Sequence, residues 1–323
     1  VSVMRLAAAS ATAAVAAAVA FYYYHRRRNG DLSFTVLSWN ILAREFTMFN
    51  RKPPGCVQGH LNPDNELETE SQTAARYSLA AEALIARKAD AVLLQECSKS
   101  FFDALVNPLA SSLLEHYAIA HATNEKGPGT VVLLLKAGSL TSTGEVFTSG
   151  GSEITGGTSK SASGVKVTPR GGDVEQNLWL VSLHLTPYKF KPQEVCKHLE
   201  LLGDAIRSDM DVHTLGAPPR VVLGGDLNAE PDEVAAIQRE CPGPLGSLLH
   251  RVVAPGNTGL SATFAEPCLI DHLFLSPGLR TCGSLELERL PESPYGLPAW
   301  EGETAPVAFA SDHVWQSLKV AYV

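Results

Sequence analysis

The chain is 323 residues long, 45% hydrophobic and 19% charged, with a formal net charge of −8. That is enough apolar material to bury the core of one sizeable domain, and neither a solenoid-period repeat nor a second domain is visible. Arg5, Arg26, Arg27 and Arg28 stand among the first 30 residues without acidic neighbours, leaving 22 basic against 34 acidic groups in the remainder; a body that acidic excludes a general nucleic-acid-binding surface, which depends on counterion release.

Leu6 to Tyr24 is an uncharged stretch of 19 residues, long enough as a helix to cross about 30 Å of hydrocarbon. It ends in Phe21-Tyr22-Tyr23-Tyr24 and then His25-Arg26-Arg27-Arg28, an aromatic belt and a basic stop. Ten of its positions are alanine, which contributes little to insertion, so a signal anchor, a cleaved organellar presequence and a secretory signal all fit. As an anchor, the basic flank predicts a membrane-bound protein whose remainder faces the cytosol. Residues 1–30 are thus expected to be a hydrophobic anchor or targeting segment, for a membrane or for a mitochondrion or other organelle, and 31–323 the folded domain.

Phe34 to Asn40 alternates, with Phe34, Val36, Ser38 and Asn40 on one face, so a carboxamide ends the strand. Arg51 to Ser71 reads as a loop, and Ala74 to Arg87 as a helix. Ala91 to Glu96 is an apolar run ending on a carboxylate that is costly to bury unless a cation binds it. Ser139 to Gly172, rich in Gly, Ser and Thr, is expected to be a mobile loop because such a composition buries little apolar area. Leu178 to Leu185 delivers His184, and the helix Glu194 to Ser208 spaces Val195, Leu199, Leu202 and Ile206 for a core.

The most informative stretch is Val221 to Asp232, VVLGGDLNAEPD. Val221-Val222-Leu223 reads as a buried strand, and Gly224-Gly225 gives the backbone room to bend at its end. Asp226 and Asn228 then sit at a strand mouth, where a carboxylate can activate water and a carboxamide can donate to a charged oxygen. Leu269 to Leu275 places Asp271 inside an otherwise apolar strand, and Ser311-Asp312-His313 opens the last one. Singly, each residue also fits a turn cap, a helix start or a satisfied core histidine. Together, acids, amides and imidazoles at successive strand ends are what hard metal ions and phosphate require. Six cysteines without C-x-x-C or zinc-like spacing read as reduced and structural. Walker A and dinucleotide fingerprints are absent, so phosphate must be held by side chains and metal.

SWNILA, LLQEC, SLHL, GGDLNAEPD, LIDHLFLS and ASDH resemble, in order, the motifs of the endonuclease/exonuclease/phosphatase superfamily, spanning about residues 34–323. WNILA followed by GDLNAEP is most similar to its deadenylase branch, which contains nocturnin and the angel proteins. The resemblance implies a four-layered α/β sandwich of two packed mixed β-sheets flanked by helices. It implies that Asn40 and Glu96 bind a catalytic Mg2+ (or Mn2+), with Asp312 as a further acidic residue of the metal site. Asp226 matches the group that orients or deprotonates the attacking water, Asn228 and His184 match phosphate contacts, and His313 with its partner Asp271 lies near the scissile phosphate. The expected activity is a deadenylase-like 3′-exoribonuclease acting on a single-stranded RNA end by in-line attack of water. Lys126 to Thr130, Lys189, Lys191 and the helix after the HL motif depart from the branch pattern, which bears on substrate rather than chemistry. A phosphatase of a small nucleotide, inositol phosphate or lipid headgroup is the alternative, and a tyrosyl-DNA phosphodiesterase-like activity a third. A catalytically silent binding module is disfavoured because all eight carried-over positions hold the matching residue types.

Overall fold

The computed structural model describes residues 32–43, 69–99, 101–102, 111–123, 128–150, 160–172, 174–208, 220–241, 243, 250–252, 259–260, 267–288, 313 and 315–323. The apolar stretch at 6–24, most of the loop expected over Arg51 to Ser71, and Asp312 lie outside the described residues. No helix among the described residues is long and apolar enough to cross a membrane.

In chain order the elements are β1 (Ser33–Asn40), α1 (Glu70–Arg87), β2 (Ala91–Cys97), α2 (Ser111–His116), β3 (Tyr117–Ala122), β4 (Gly129–Leu135), β5 (Leu140–Gly150), β6 (Ser161–Pro169), β7 (Leu178–His184), α3 (Pro192–Ser208), β8 (Val221–Asp226) and α4 (Pro231–Glu240). Seven further strands follow among the described residues: β9 (His250–Val252), β10 (Gly259–Leu260), β11 (Pro267–Cys268), β12 (Asp271–Leu275), β13 (Leu279–Thr281), β14 (Glu286–Glu288) and β15 (Trp315–Tyr322). The first sheet runs β13-β15-β1-β2-β4-β3, with β14 also on β15, and the second runs β5-β6-β7-β8-β12-β9. Each sheet holds one parallel pair, β1 with β2 and β7 with β8. The connection within each pair carries a helix, as parallel neighbours require.

Period two along the strands sorts the apolar side chains into layers. Phe34, Val36, Leu93, Val132 and Leu134 of the first sheet meet Val165, Val167, Leu180, Val222 and Leu273 of the second in one buried cluster. On the outer face of the first sheet, Leu37, Trp39, Val92 and Leu94 pack against Tyr77, Ala80 and Leu84 of α1. On the outer face of the second, Val181, Leu183 and Leu223 pack against Val195, Leu199, Leu202 and Ile206 of α3 and Val234 and Ile237 of α4. The result is the expected α/β sandwich of two packed mixed sheets between helices.

Of the segment expected to be a mobile loop, Ser139 to Gly172, residues 151–159 lie outside the described residues, and most of the rest is the antiparallel pair β5 and β6, in register from Leu140↔Pro169 to Gly150↔Ser161. Its small residues allow close packing. A Cβ on Gly164 would fall 2.1 Å from the Phe147 ring, which in turn packs on Trp179 with ring centroids 5.0 Å apart. Hydroxyls bridge the sheets here, Ser163 donating to Thr130 at 2.8 Å and Ser161 meeting Thr123 at 2.9 Å. Two further expectations change. Asp271 opens β12 rather than lying inside it. Cys196 on α3 and Cys241 at the end of α4 are joined in a disulfide, against the reading of all six as reduced; the packing of both helices on one sheet face brings together residues 45 apart in sequence, a proximity no local motif records. Cys97 and Cys282 are free.

Candidate active site

The parallel pairs aim one end of both sheets at a common cleft. β1 ends on Asn40, β2 carries Glu96, β7 ends on His184 and β8 on Asp226. Asp271 enters there too, because β12 runs antiparallel to β8 and pairs Asp271 with Asp226. His313 lies just ahead of β15, and its carbonyl accepts the indole N–H of Trp39 at 3.1 Å.

Gly224 and Gly225 lie within β8 and do not bend it away from the sheet. They allow close approach instead. A Cβ at Gly225 would stand 1.8 Å from the carbonyl oxygen of Leu183 on β7, and one at Gly224 would stand 2.6 Å from Leu273 and 3.0 Å from Leu93 of the facing sheet.

Glu96 reaches the cleft through a break in alternation. Between Leu94 and Cys97 the register of β2 on β4 slips by a bulge, and Glu96 takes φ 59°. Leu42 (φ 55°) and Asn228 (φ 48°) are also left-handed, a conformation that costs a residue with a Cβ roughly 1–2 kcal/mol. Backbone strain thus gathers at this end of the sandwich.

Asn40 joins the two sheets at the cleft. Its Nδ2 donates to Glu96 Oε1 and to Asp226 Oδ2, each at 3.0 Å, while its Oδ1 accepts the Leu42 N–H at 3.0 Å. Glu96 Oε2 accepts the Ala43 N–H at 3.0 Å, and Asp226 Oδ1 accepts the Asn228 N–H at 2.8 Å. His184 Nε2 lies 3.6 Å from Glu96 Oε1 and 3.5 Å from Asp226 Oδ2, and it contacts the ammonium of Lys160. On the other side His313 Nδ1 is 2.8 Å from Asp271 Oδ2, with Nε2 facing Asp226 Oδ2 at 3.9 Å. Below this layer, Gln95 donates to Ser182 Oγ at 2.9 Å, and Ser182 donates to the Leu94 carbonyl at 2.7 Å. Gln316 of β15 donates to the Asp271 carbonyl at 2.7 Å. The floor of the site therefore crosses from one sheet to the other three times by hydrogen bond.

Burial sets the charges. It raises the pKa of Asp226 above the ordinary carboxylate value, although His313 pulls the other way. Burial, reinforced by Lys160, holds His184 well below the usual histidine range, so its ring is neutral. The Lys160 pKa is itself lowered by burial against the pull of Asp226 and Glu96. Cys97, adjacent to Glu96, is buried and its thiol pushed well up, which removes it as a nucleophile.

Two groups of side chains present ligand atoms within 4.8 Å of one another, Glu96 with His184 and Asp226, and Asp226 with Asp271 and His313. Two buried carboxylates and a neutral imidazole fit a hard divalent ion. Expected as an amide ligand, Asn40 instead turns its nitrogen to both carboxylates and gives its oxygen to the backbone. His184, expected at the phosphate, stands among the acids. Asn228 uses Nδ2 on the Leu185 carbonyl at 3.0 Å, which fixes the loop beyond β8. The side chains of six of the eight expected residues converge; Asn228 meets Asp226 only through its backbone N–H, and Asp312 is outside the described residues. No local motif marks Lys160, which lies one residue before β6 and reaches His184 through cross-strand pairing.

The Endonuclease/Exonuclease/phosphatase family model matches residues 37–313. Similar solved structures include D. rerio TDP2 complexed with single strand DNA product (TM-score 0.59, 18% identity, covering 90% of this chain and 99% of that one). Another is ANGEL2, a 2′,3′-cyclic phosphatase, in complex with adenosine-2′,3′-vanadate (TM-score 0.63, 15% identity, covering 90% and 96%). A third is the endonuclease/exonuclease/phosphatase from Bacteroides vulgatus (TM-score 0.55, 15% identity, covering 91% and 100%). Such identities speak to fold. No curated protein sequence matches the chain.

Proposed function

Because the chain belongs to the endonuclease/exonuclease/phosphatase family and is a hydrolase of that family, we propose that it cleaves phosphodiesters at the 3′ end of single-stranded RNA in a Mg2+- or Mn2+-dependent, deadenylase-like reaction. The observation that carries this reading is the pairing of Glu96 and Asp226 through one Asn40 amide, opposite His313 and Asp271. Glu96, Asp226 and His184 would hold the metal, with Asp312 as the remaining acidic residue of the proposed set. When bound, the ion supplies positive charge to a phosphoryl oxygen and to a nearby water.

The chain's own groups do the rest. Asp226, one of the carboxylates beside that ion, orients the attacking water and accepts its proton. Its orientation is fixed from both sides by the Asn228 N–H and the Asn40 amide. Asp271 holds the proton of His313 on Nδ1 and turns Nε2 into the cleft, where it faces the charge that develops on the phosphoryl group. The polar layer of Ser38, Gln95 and Ser182 keeps the two sheets in register beneath the reacting atoms. The acidic body, which gains little from long nucleic acid, favours a short end over a duplex.

A second reading is hydrolysis of a terminal phosphate rather than of an internucleotide bond, favoured by the likeness to the 2′,3′-cyclic phosphatase ANGEL2. Incubating the full chain and Mg2+ with a 5′-labelled oligonucleotide bearing a 3′ adenylate tail, and with the same oligonucleotide ending in a 2′,3′-cyclic phosphate, separates the two. Stepwise shortening supports the exonuclease; end conversion without shortening supports the phosphatase. Glu96→Gln is the blank, and turnover by that variant equal to wild type would overturn both.

A further inference from the structure

Lys160 lies immediately before β6, and the next residue, Ser161, is the cross-strand partner of His184. That register delivers its half-buried side chain to the acidic end of the cleft. Its ammonium contacts His184 Nε2 and is close enough to Asp226 and Glu96 to act on both electrostatically. These are the three side chains that present mutually adjacent ligand atoms for a divalent ion. Lysine and metal therefore answer the same need, a positive charge beside two buried carboxylates, and their mutual repulsion prevents both from occupying it.

We propose that Lys160 is the resident cation of this pocket and that, once a divalent metal takes the carboxylates, its ammonium becomes a phosphate-contacting group of the same site. The inference rests on reading the site as a metal-dependent phosphoester hydrolase. An ammonium displaced from two carboxylates still needs an anion, and a phosphoryl group drawn to the same metal is the nearest one the chemistry provides. The next residue, Ser161, continues into a run of hydroxyl contacts with Thr123, Thr130 and Ser163 between the sheets.

The test uses the full chain, Lys160→Met, which keeps length and removes charge, and Lys160→Arg, which keeps charge. Mn2+ affinity is read by the electron paramagnetic resonance of the free ion, without reference to turnover. Orthophosphate affinity is read by calorimetry on the Mg2+-loaded protein. Lys160→Met is expected to bind Mn2+ about tenfold more tightly and orthophosphate about tenfold more weakly, the scale of one charge-assisted hydrogen bond. Lys160→Arg is expected to keep orthophosphate affinity near wild type. Wild-type affinities for both ions in Lys160→Met, with its circular dichroism unchanged, would overturn the proposal and leave the metal reading standing. A wild-type chain that binds no Mn2+ removes the metal reading and this proposal with it.

Discussion

Asp226 and Asp271 are direct cross-strand partners on β8 and β12, two carboxylates facing each other on one side of an antiparallel pair. Like charges so placed repel. His313 reduces the conflict, bonded to Asp271 at 2.8 Å and facing Asp226 at 3.9 Å.

Loss of this ring is expected to reduce turnover more than fold. His313→Ala should lower kcat/KM by roughly 2–4 kcal/mol of transition-state stabilisation, the cost of removing one electrostatic stabiliser. Asp271→Asn should lose part of that, because the amide holds the ring less firmly in one tautomer. Steady-state kinetics on the 3′-tailed oligonucleotide, with thermal melting beside it, checks both; wild-type kcat/KM in His313→Ala would show that the ring takes no part.

Two buried histidines outside the proposed set of site residues, His198 and His272, set an acid limit on stability. Burial lowers the pKa of His198 and of His272 to about 4. Both are neutral in the folded chain, and in the unfolded chain they titrate near the ordinary histidine value of 6.5. Their stabilising contribution is therefore fully present above pH 6.5 and lost as pH falls toward 4. Tm is expected to drop over that window. In His272→Gln, which keeps a donor for the Ala229 carbonyl that His272 Nε2 meets at 2.8 Å, the drop should be shallower. An equally steep profile in the variant would assign the acid sensitivity to other groups.

Gly225→Ala is expected to damage both fold and site. Its Cβ would meet a backbone carbonyl, not the movable end of a side chain, so β7 and β8 must part. Overpacking of this kind typically costs 1–3 kcal/mol and here falls at or above the upper end of that range. Gly224→Ala meets side-chain atoms of Leu273 and Leu93 first and should cost less. Urea unfolding of the two variants ranks them, and a milder effect at Gly225 would contradict the close approach.

The Cys196–Cys241 disulfide closes a 45-residue separation between α3 and α4. Cross-links over loops of that order contribute about 2–4 kcal/mol. Cys196→Ser is expected to lower stability by that amount while leaving kcat unchanged, since both cysteines lie in the helical layer outside the cleft. Equal Tm values for oxidised and reduced protein would show that the bridge carries no stability.

The strand ends were legible because each combined an apolar run with one polar residue that needed a reason to be buried, as at Glu96, His184 and Asp226. Position-by-position resemblance supplied the architecture, which periodicity alone did not. What failed was reading composition as conformation. The serines and glycines of β6 looked like loop because they bury little apolar area, yet Gly164 receives Phe147 and Ser163 bonds Thr130. Gly224-Gly225 looked like a bend for the same reason. Lys160 and the cysteine pair are long-range consequences of packing, and their neighbours in sequence do not report them.

Glu96 and Asn40 belong to the first sheet, whereas Asp226 and His184 belong to the second, so neither sheet holds the proposed site by itself. On that proposal, turnover is a readout of docking. An intermediate with both sheets formed but not yet closed would have native-like circular dichroism and no turnover, and recovery of activity during refolding should lag behind recovery of strand content by the time the two halves take to meet.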